Sequence, residues 1–342
     1  MPTMTIYTLA KELNMTPSMV SRAFNPEAKI SEEKRQIVLA AAKKYDFSPN
    51  RLASRLSMRA VRIGILLNSH FAINTDHMIA GVKQAYAKLK DYKVTYEITM
   101  MDSHTAPPEE YNEVLTRYRG YDGVILTGMS SSKYTDMIRA LYRHTPAIVQ
   151  VQAINNEADY LFASQHNEET ASFLAAEFLS NCLRAERDKG VLLFTGSMES
   201  ALHAKAAAAF ERACAACGLN LLESVDMKDD EAYFERILPG IFEKHGSEIA
   251  GLYMTSGIST PLCRYLEKNG LSLPFVAFDT YDEIKHYLKK GIISATISQN
   301  VAYQMEVAFD RLVRYLITGE ACQKTIYTDV QLVLKSNMHQ FG

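Results

Sequence analysis

The period of hydrophobic and polar positions changes near residue 61. Before that point, apolar residues recur every three or four positions, as on one face of a helix. Beyond it, short apolar runs rich in Val, Ile and Phe alternate with longer amphipathic segments. That alternation is typical of strands joined by helices. The pattern predicts an all-α head followed by an α/β body.

Three short helices are predicted in the head. The first covers residues 8–13, and the second begins at Pro17, where a missing N–H is harmless, with Thr16 as its N-cap. The third begins after Ser31. The apolar positions expected to face inward are Leu9, Ala10, Leu13, Val20, Phe24, Ile37, Val38, Ala41 and Tyr45.

The body contains more strand candidates than one sheet holds comfortably. Because strands alternating with helices form parallel sheets with right-handed crossovers, we expect two doubly wound parallel-sheet subdomains. The candidates are residues 61–67, 93–101, 123–128, 147–152, 190–196, 251–256 and 275–279.

Charge separates the head from the body. Of the 342 residues, those up to Arg62 include eleven Lys and Arg against five Asp and Glu, a net charge of +6. The remainder has 26 against 34, a net charge of −8. A basic head suits nucleic acid. No apolar run approaches the ~18 residues of a membrane span, and the first residues do not resemble a secretion signal, so a cytoplasmic protein is expected.

The chemistry-bearing residue types form few motifs. The odd number of cysteines, five, suits a reducing compartment. Cys214 and Cys217 have CxxC spacing but end an Ala-rich helical stretch stopped by Gly218, so we expect helix packing rather than redox chemistry. The histidines lack zinc-site spacing, and no phosphate-loop, dinucleotide or nucleophile-elbow motif occurs. Neither a metal, a cofactor nor an enzymatic activity is predicted.

The head resembles that of the LacI/GalR family of bacterial transcription regulators, in TIYTLAKELNMTPSMVSRAFN (residues 5–25) and ISEEKRQIVLAAAKKYDFSPNRLASRLSMRAVRIGILL (residues 30–67). The resemblance implies a helix-turn-helix that binds operator DNA as a dimer, with base contacts from Pro17, Ser18 and Met19. The implied phosphate and supporting contacts are Thr5, Tyr7, Thr16, Ser21, Arg22, Asn25 and Lys29.

The segment after Pro49 resembles the hinge helix of that family. It implies that Asn50 and Leu56 contact DNA, the leucine as a wedge in the minor groove that bends the duplex. The segment is too short and too charged to be stable alone, and a flexible basic linker is the alternative interpretation.

The body resembles the periplasmic sugar-binding-protein fold, most specifically in FVAFDTYDEIKHYLKKGIISATISQN, residues 275–300. Such a chain crosses between its subdomains three times, and we expect crossings near residues 158, 292 and 323. The implied domains are a head at 1–48, a hinge at 49–60 and an effector-binding and dimerisation body at 61–342. Within the body the N-subdomain is 61–158 and 293–323, and the C-subdomain is 159–292 and 324–336.

A ligand in this fold lies between the subdomains, at the carboxyl ends of the strands. The resemblance places Asp279 and Gln299 against ligand hydroxyls, with Asn68, Asn74 and Ser256 as further polar contacts. Each could instead be a cap or turn residue. Aromatic residues near predicted strand ends could stack on a sugar ring or belong to the core; these are Phe71, Phe194, Tyr233, Tyr253 and Phe278.

Two charged sugar contacts usual in the family are missing. Ala206 stands where an Arg is expected, and Val151 where a carboxylate is expected. The effector is expected to be a sugar or sugar derivative, with a less hydroxylated, modified or anionic molecule, or a partner protein, as alternatives.

The function expected is a homodimeric, ligand-controlled repressor on a pseudo-palindromic operator. The C-terminal tail lacks leucine heptads, which favours a dimer over a tethered tetramer. A corepressor mode is the first alternative. An enzyme acting on a sugar or nucleotide, and a transport receptor, are less favoured.

Overall fold

The computed structural model describes residues 5–24, 30–45, 47, 60–70, 72–89, 92–102, 105–186 and 188–341. They fall into two compact units, a helical one before Ala60 and an α/β one after it.

The helical unit contains α1 (Ile6–Glu12), α2 (Pro17–Ala23) and α3 (Glu32–Lys44). The prediction for α2 is confirmed, because Thr16 caps it and Pro17 is its first residue. The first helix begins two residues earlier than predicted, because Thr5 and Thr8 form a reciprocal capping box. The core is formed by Leu9, Ala10, Val20, Ala23, Val38, Ala41 and Ala42.

The prediction that Ile37 of α3 faces the core is wrong. Ile37 is 44% exposed, and Ala42 is buried in its place. The two short helices opposite cover only a narrow stripe of α3, centred on Val38 and Ala41. A hydrogen bond also connects α3 to α2: an Arg35 guanidinium N–H donates to the carbonyl oxygen of Ala23 at 3.0 Å.

The α/β unit alternates strands and helices along the chain. Its strands are β1 (Val61–Asn68), β2 (Val94–Met101), β3 (Gly123–Thr127), β4 (Ile148–Val151), β5 (Phe162–His166), β6 (Gly190–Thr195), β7 (Asn220–Asp226), β8 (Ile249–Met254), β9 (Phe275–Phe278), β10 (Ala295–Ser298), β11 (Thr325–Thr328) and β12 (Gln331–Val333). Its helices are α4 (Ala72–Leu89), α5 (Pro108–Tyr118), α6 (Thr135–Tyr142), α7 (Glu168–Cys182), α8 (Ala201–Cys217), α9 (Glu231–His245), α10 (Thr260–Lys268), α11 (Asp282–Lys290) and α12 (Val301–Thr318).

The strands form two six-stranded sheets, which define two lobes. The first lobe has the order β11-β5-β4-β3-β1-β2, and the second has β12-β10-β9-β8-β6-β7. The central strands β3, β4, β6 and β8 are buried along their whole length, as in parallel sheets covered on both faces. The expected two-sheet architecture is confirmed with one correction: β12 runs antiparallel to β10.

In the structure, all three crossings between the lobes lie a few residues after their predicted positions. Strand β5 pairs with β4 and β11 in the first lobe, so the chain crosses after residue 166 rather than near 158. Strand β10 pairs with β9 in the second lobe and β11 belongs to the first, so the other crossings follow residues 298 and 328 rather than 292 and 323. The reason for the first shift is that β5, FASQH, is half polar and does not read as an apolar run.

Helix α12 returns to the first lobe and packs closely on α4. A Cβ atom added at Gly81 would lie 2.1 Å from the carbonyl oxygen of Ala302, so only glycine allows the two backbones this separation. The side chains continue the contact, with Lys88 Nζ donating to Glu306 Oε1 at 2.5 Å. No helix in the described part of the chain is long and apolar enough to cross a membrane.

Candidate functional site

A cavity of about 690 Å³ lies at the carboxyl ends of the strands of both lobes. The first lobe contributes Asn68 at the end of β1 and His166 at the end of β5. The second lobe contributes Ser256 after β8, Asp279 after β9 and Gln299 after β10. The parallel topology explains the convergence, because it brings the carboxyl ends of neighbouring strands to one edge of each sheet.

Five of the residues singled out from the sequence line this cavity together: Asn68, Asn74, Ser256, Asp279 and Gln299. Tyr253 and Phe278 also line it, whereas Phe194 is fully buried in the core of the second lobe. Tyr233, on α9, is not among the lining residues. Its ring lies 4.8 Å from Lys228 Nζ. Phe71 lies outside the described residues.

A chain of side-chain hydrogen bonds joins the two lobes across the cavity. Asn74 Nδ2 donates to Gln152 Oε1 at 3.2 Å, and Gln152 Nε2 donates to Gln299 Oε1 at 3.4 Å. Gln299 Nε2 then donates to Asp279 Oδ1 at 2.8 Å. Asn74 and Gln152 belong to the first lobe and Asp279 to the second, so we call this chain the inter-lobe relay. Sequence reasoning found three of its members and missed Gln152.

Strained backbone marks the same place. Gln152, Asp279 and Asn300 have φ values of +66°, +72° and +50°, in the left-handed region that non-glycine residues seldom occupy. Such a residue costs about 1 kcal/mol or more and persists where the surroundings fix it, often at binding sites. Two of the three residues are in the inter-lobe relay, and Asn300 caps α12 at the crossing back to the first lobe.

Asp279 is a buried carboxylate with polar partners. Burial raises its pKa to about 6, opposed by hydrogen bonds from Gln299 and Tyr281. Burial, together with the adjacent Asp279 charge, raises the pKa of Tyr281 well above its ordinary value. The ring of Tyr281 lies 6.0 Å from that of His77 on α4, so an aromatic contact also connects the lobes.

His166 and Glu168, at the start of α7, form a second titratable group that sequence reasoning missed. His166 Nε2 lies 3.8 Å from Glu168 Oε1, and both side chains are nearly buried. Burial lowers the pKa of His166 to about 4 and raises that of Glu168 to about 7. The signal that could have found them is their position at the end of β5, a strand that the apolar pattern did not reveal.

His203, on α8, belongs to the second lobe. Its Nε2 atom is 3.7 Å from Asp229 Oδ1, and burial lowers its pKa. Asp229 Oδ2 accepts a hydrogen bond from the backbone N–H of Ser197 at 3.0 Å. Both titratable residues line the cavity.

The charge of the lining is one-sided. The described lining residues include five carboxylates and neither Lys nor Arg. Ala206 lines the cavity, whereas Lys205 beside it is exposed and absent from the lining. Only Glu231 has an arginine partner, Arg264, at 3.1 Å. The carboxylates are Glu168, Asp229, Glu231, Asp279 and Glu283.

The head presents a polar face on α2. Ser18, Ser21 and Arg22 are exposed, and Pro17 and Met19 are half-buried. Thr16 Oγ1 accepts the backbone N–H of Met19 at 3.2 Å, and Tyr7 on α1 is 73% exposed. Thr5, at the N-cap of α1, is exposed as well. Four predicted DNA contacts lie outside the described residues: Asn25, Lys29, Asn50 and Leu56.

Among the residues that the structure describes, no group of three or more His, Cys, Asp or Glu side chains could hold a metal ion. The CxxC cysteines end α8 as expected, and burial raises the pKa of the Cys214 thiol to about 12.

Comparison with known proteins gives the same architecture. The model of the periplasmic binding protein domain family matches residues 66–321. The transcriptional regulator AglR of Rhizobium meliloti is 24% identical over 91% of this chain and 86% of its own length. The repressor PurR of Klebsiella pneumoniae is 23% identical over 96% and 95%. A solute binding protein from Burkholderia graminis, solved with D-arabinose, has a TM-score of 0.73 at 18% identity, covering 83% of this chain and 98% of its own.

The family model spans most of the chain, so the protein belongs to the periplasmic binding protein domain family. Within it, the two full-length relatives confirm the resemblance to the LacI/GalR type of regulator.

Proposed function

We propose that the protein is a ligand-responsive transcriptional regulator that binds a pseudo-palindromic operator as a homodimer in the cytoplasm. The observation that carries the proposal is the inter-lobe relay, because a ligand that replaces hydrogen bonds between lobes must change the balance between two arrangements of those lobes. The names of AglR and PurR, both of them regulators, support this function rather than an enzymatic one.

Operator contact is assigned to the head. The exposed side chains of α2 are small or basic, which suits a helix that enters the major groove. Pro17, Ser18 and Met19 would face the bases. Arg22, with the exposed hydroxyl of Ser21, would hold phosphates. The hinge helix, with Leu56 wedged into the minor groove, completes the proposed interface.

The cavity receives a small-molecule effector. A neighbour of the same fold was solved with D-arabinose, which supports a carbohydrate or a carbohydrate derivative. Asp279 and Gln299 offer an acceptor and an amide suited to hydroxyl groups. Binding is proposed to weaken operator affinity, by coupling between the cleft and the head. The corepressor mode, in which the effector strengthens operator binding, is the second candidate, because an effector that adds hydrogen bonds to the inter-lobe relay would hold the lobes together.

The test is selection of binding sites from fragmented genomic DNA by the full-length protein, followed by titration of the selected site. The proposal predicts a palindromic consensus, an affinity that falls steeply with salt, and a response to a small-molecule extract of the source cells. Replacing Leu56 with Ala should weaken binding to the selected site far more than to random DNA. A protein that shows no sequence preference would contradict the proposal.

A further inference from the structure

Glu168 is a carboxylate placed in the cavity without a countercharge of its own. It is the first residue of α7, lines the cavity, and has a side chain only 11% exposed. The one side-chain partner described for it is His166, whose Nε2 is 3.8 Å away. The positive charge of Lys205 lowers the pKa of Glu168 through space, but Lys205 is exposed and does not line the cavity. A buried charge of this kind is costly unless something pairs with it.

His166 provides a second, independent observation at this site. The residue is 3% exposed and lines the cavity, yet its Nδ1 atom has no hydrogen-bond partner. A hydrogen bond with Gln299 favours the protonated form of the ring, and because Nδ1 has no partner this bond falls to Nε2, which also lies 3.8 Å from Glu168 Oε1. The ring proton is therefore assigned to Nε2, which leaves Nδ1 as an acceptor. A buried acceptor without a donor is rare in native proteins. The group that completes this site must therefore donate hydrogen bonds.

The remaining lining restricts the charge of that donor. Asp229, Asp279 and Glu283 add further carboxylates, and no Lys or Arg in the described lining offsets them. An anionic ligand would meet repulsion from several sides. A neutral polyol would supply donors but no positive charge, so the Glu168 carboxylate, 11% exposed, would keep only its own backbone N–H and the distant charge of Lys205 as favourable partners.

We infer that the effector is a cationic molecule whose protonated amine is bound by the Glu168 carboxylate and donates a second hydrogen bond to His166 Nδ1. An ammonium group has three donors and no acceptor, which matches two acceptors beside a negative charge. Hydroxyl groups on the same molecule would face Asp279 and Gln299. This inference rests on the proposed function and narrows its effector from carbohydrates in general to an amine such as an amino sugar.

The test compares two forms of one small-molecule extract of the source cells. One portion is left untreated, and in the other the amines are N-acetylated, which removes their positive charge and keeps their hydroxyl groups. Full-length protein is incubated with each portion, and the retained compounds are identified by mass spectrometry. The variants are Glu168→Gln, which keeps size and hydrogen-bonding capacity, and Glu177→Gln, which neutralises an exposed carboxylate on the same helix as a matched control.

The wild type and E177Q should retain a compound with a basic amine, and only from the untreated extract. Because the amide oxygen can still accept a hydrogen bond but the negative charge that strengthens it is lost, E168Q should retain the compound with an affinity lower by about tenfold or more. Equal retention from both extracts, retention of a neutral or acidic compound, or a compound held equally by E168Q would overturn the inference. So would the absence of any retained compound.

Operator binding separates the two levels of the proposal. If both extracts change operator affinity equally, the regulatory function stands and the cationic effector is wrong. If neither extract changes it, and no operator is bound selectively, the proposed function fails as well.

Discussion

At the scale of single residues, the same burial shifts the pKa values of neighbouring groups in opposite directions. His166 is held neutral, because a buried imidazole resists protonation and its pKa falls to about 4. Glu168 is also driven toward its neutral form, which raises its pKa to about 7. Near neutral pH the Glu168 carboxylate is therefore only partly ionised. A cation entering the cavity would favour its ionised form.

This arrangement predicts how stability depends on pH. A folded-state pKa of about 7, against an ordinary value of 4.5, means that the folded protein binds this proton more tightly than the unfolded chain. The associated stabilisation is complete below pH 4.5 and is lost as the pH rises through 7. Glu168→Gln should therefore exceed the wild type in stability by about 3 kcal/mol at pH 8, and by little at pH 4.5.

Thermal unfolding of the effector-free protein across this pH range measures the difference, expected to be a few degrees in Tm at pH 8. The other groups near Glu168, namely His166, Lys205 and Tyr253, are present in both proteins. Glu177→Gln should follow the wild-type curve throughout. An E168Q protein that is less stable at pH 8 than the wild type would refute the assignment.

The sequence predicted Asn68, Asp279 and Gln299 through the resemblance to sugar-binding proteins. Asn68 and Asp279 also lie at the carboxyl ends of predicted strands, where parallel topology brings side chains together, whereas the strand before Gln299 was not predicted. His166 and Glu168 could not be expected, because the strand that ends at His166, two residues before Glu168, is rich in polar residues. In that strand, the buried Ser164 hydroxyl donates a hydrogen bond to the carbonyl oxygen of Gln304 at 2.9 Å. The two residues are far apart in the sequence, so no local pattern reveals this contact.

At the scale of elements, the start of α2 depends on one side chain. Thr16 Oγ1 accepts the backbone N–H of Met19 at 3.2 Å and satisfies a donor that the helix itself leaves free. Ser31 occupies the N-cap of α3 but makes no such bond with its side chain. The two positions form a natural comparison within one unit.

Replacing Thr16 with Ala should destabilise the head by about 1 kcal/mol, since a cap is lost. Ser31→Ala, the matched control, should cost only a few tenths of that. Hydrogen exchange of the α2 amides in the full-length protein measures both. Equal protection in the two variants would show that the Thr16 cap does not stabilise the helix.

The contact between α4 and α12 depends on a glycine. A Cβ atom at Gly81 would overlap the Ala302 carbonyl, and backbone cannot move aside as a flexible side chain can. Gly240, in α9, has open space around the corresponding position. Alanine should therefore have opposite effects at these two helical sites.

Gly81→Ala should lower the free energy of unfolding by about 2 kcal/mol or more, because the two helices must separate. Gly240→Ala should be neutral or raise it by up to about 1 kcal/mol, since alanine favours the helix. Urea unfolding followed by circular dichroism measures both. A Gly81→Ala variant as stable as the wild type would show that the helices adjust without cost.

Element prediction succeeded for the longer apolar runs and missed the strands that are short or rich in polar residues, including the buried inner strand β10. The predicted runs correspond to β1, β2, β3, β4, β6, β8 and β9, most of them rich in buried apolar residues. Strand β7 has only one fully buried position, and β11 and β12 are short edge strands. Their pairing is determined by distant partners, so the local sequence contains little information about it.

At the scale of the whole molecule, the inter-lobe relay and the strained residues beside it connect the cavity to the crossings between lobes. Gln299 follows β10 directly, and its backbone carbonyl accepts from Gln304 Nε2 of α12 at 2.8 Å. A ligand bound to Gln299 and Asp279 would act where the chain returns to the first lobe. In the proposed regulator, the two arrangements of the lobes would differ in operator affinity.

The most direct test of this coupling is operator affinity with and without the untreated extract, in the wild type and in Asp279→Asn. Asparagine suits the substitution because it tolerates a positive φ and keeps the shape of the side chain. The account predicts a change of about fivefold or more in the wild type, and equal operator affinity but no response in the variant. A D279N protein that still responds as the wild type does would contradict the account.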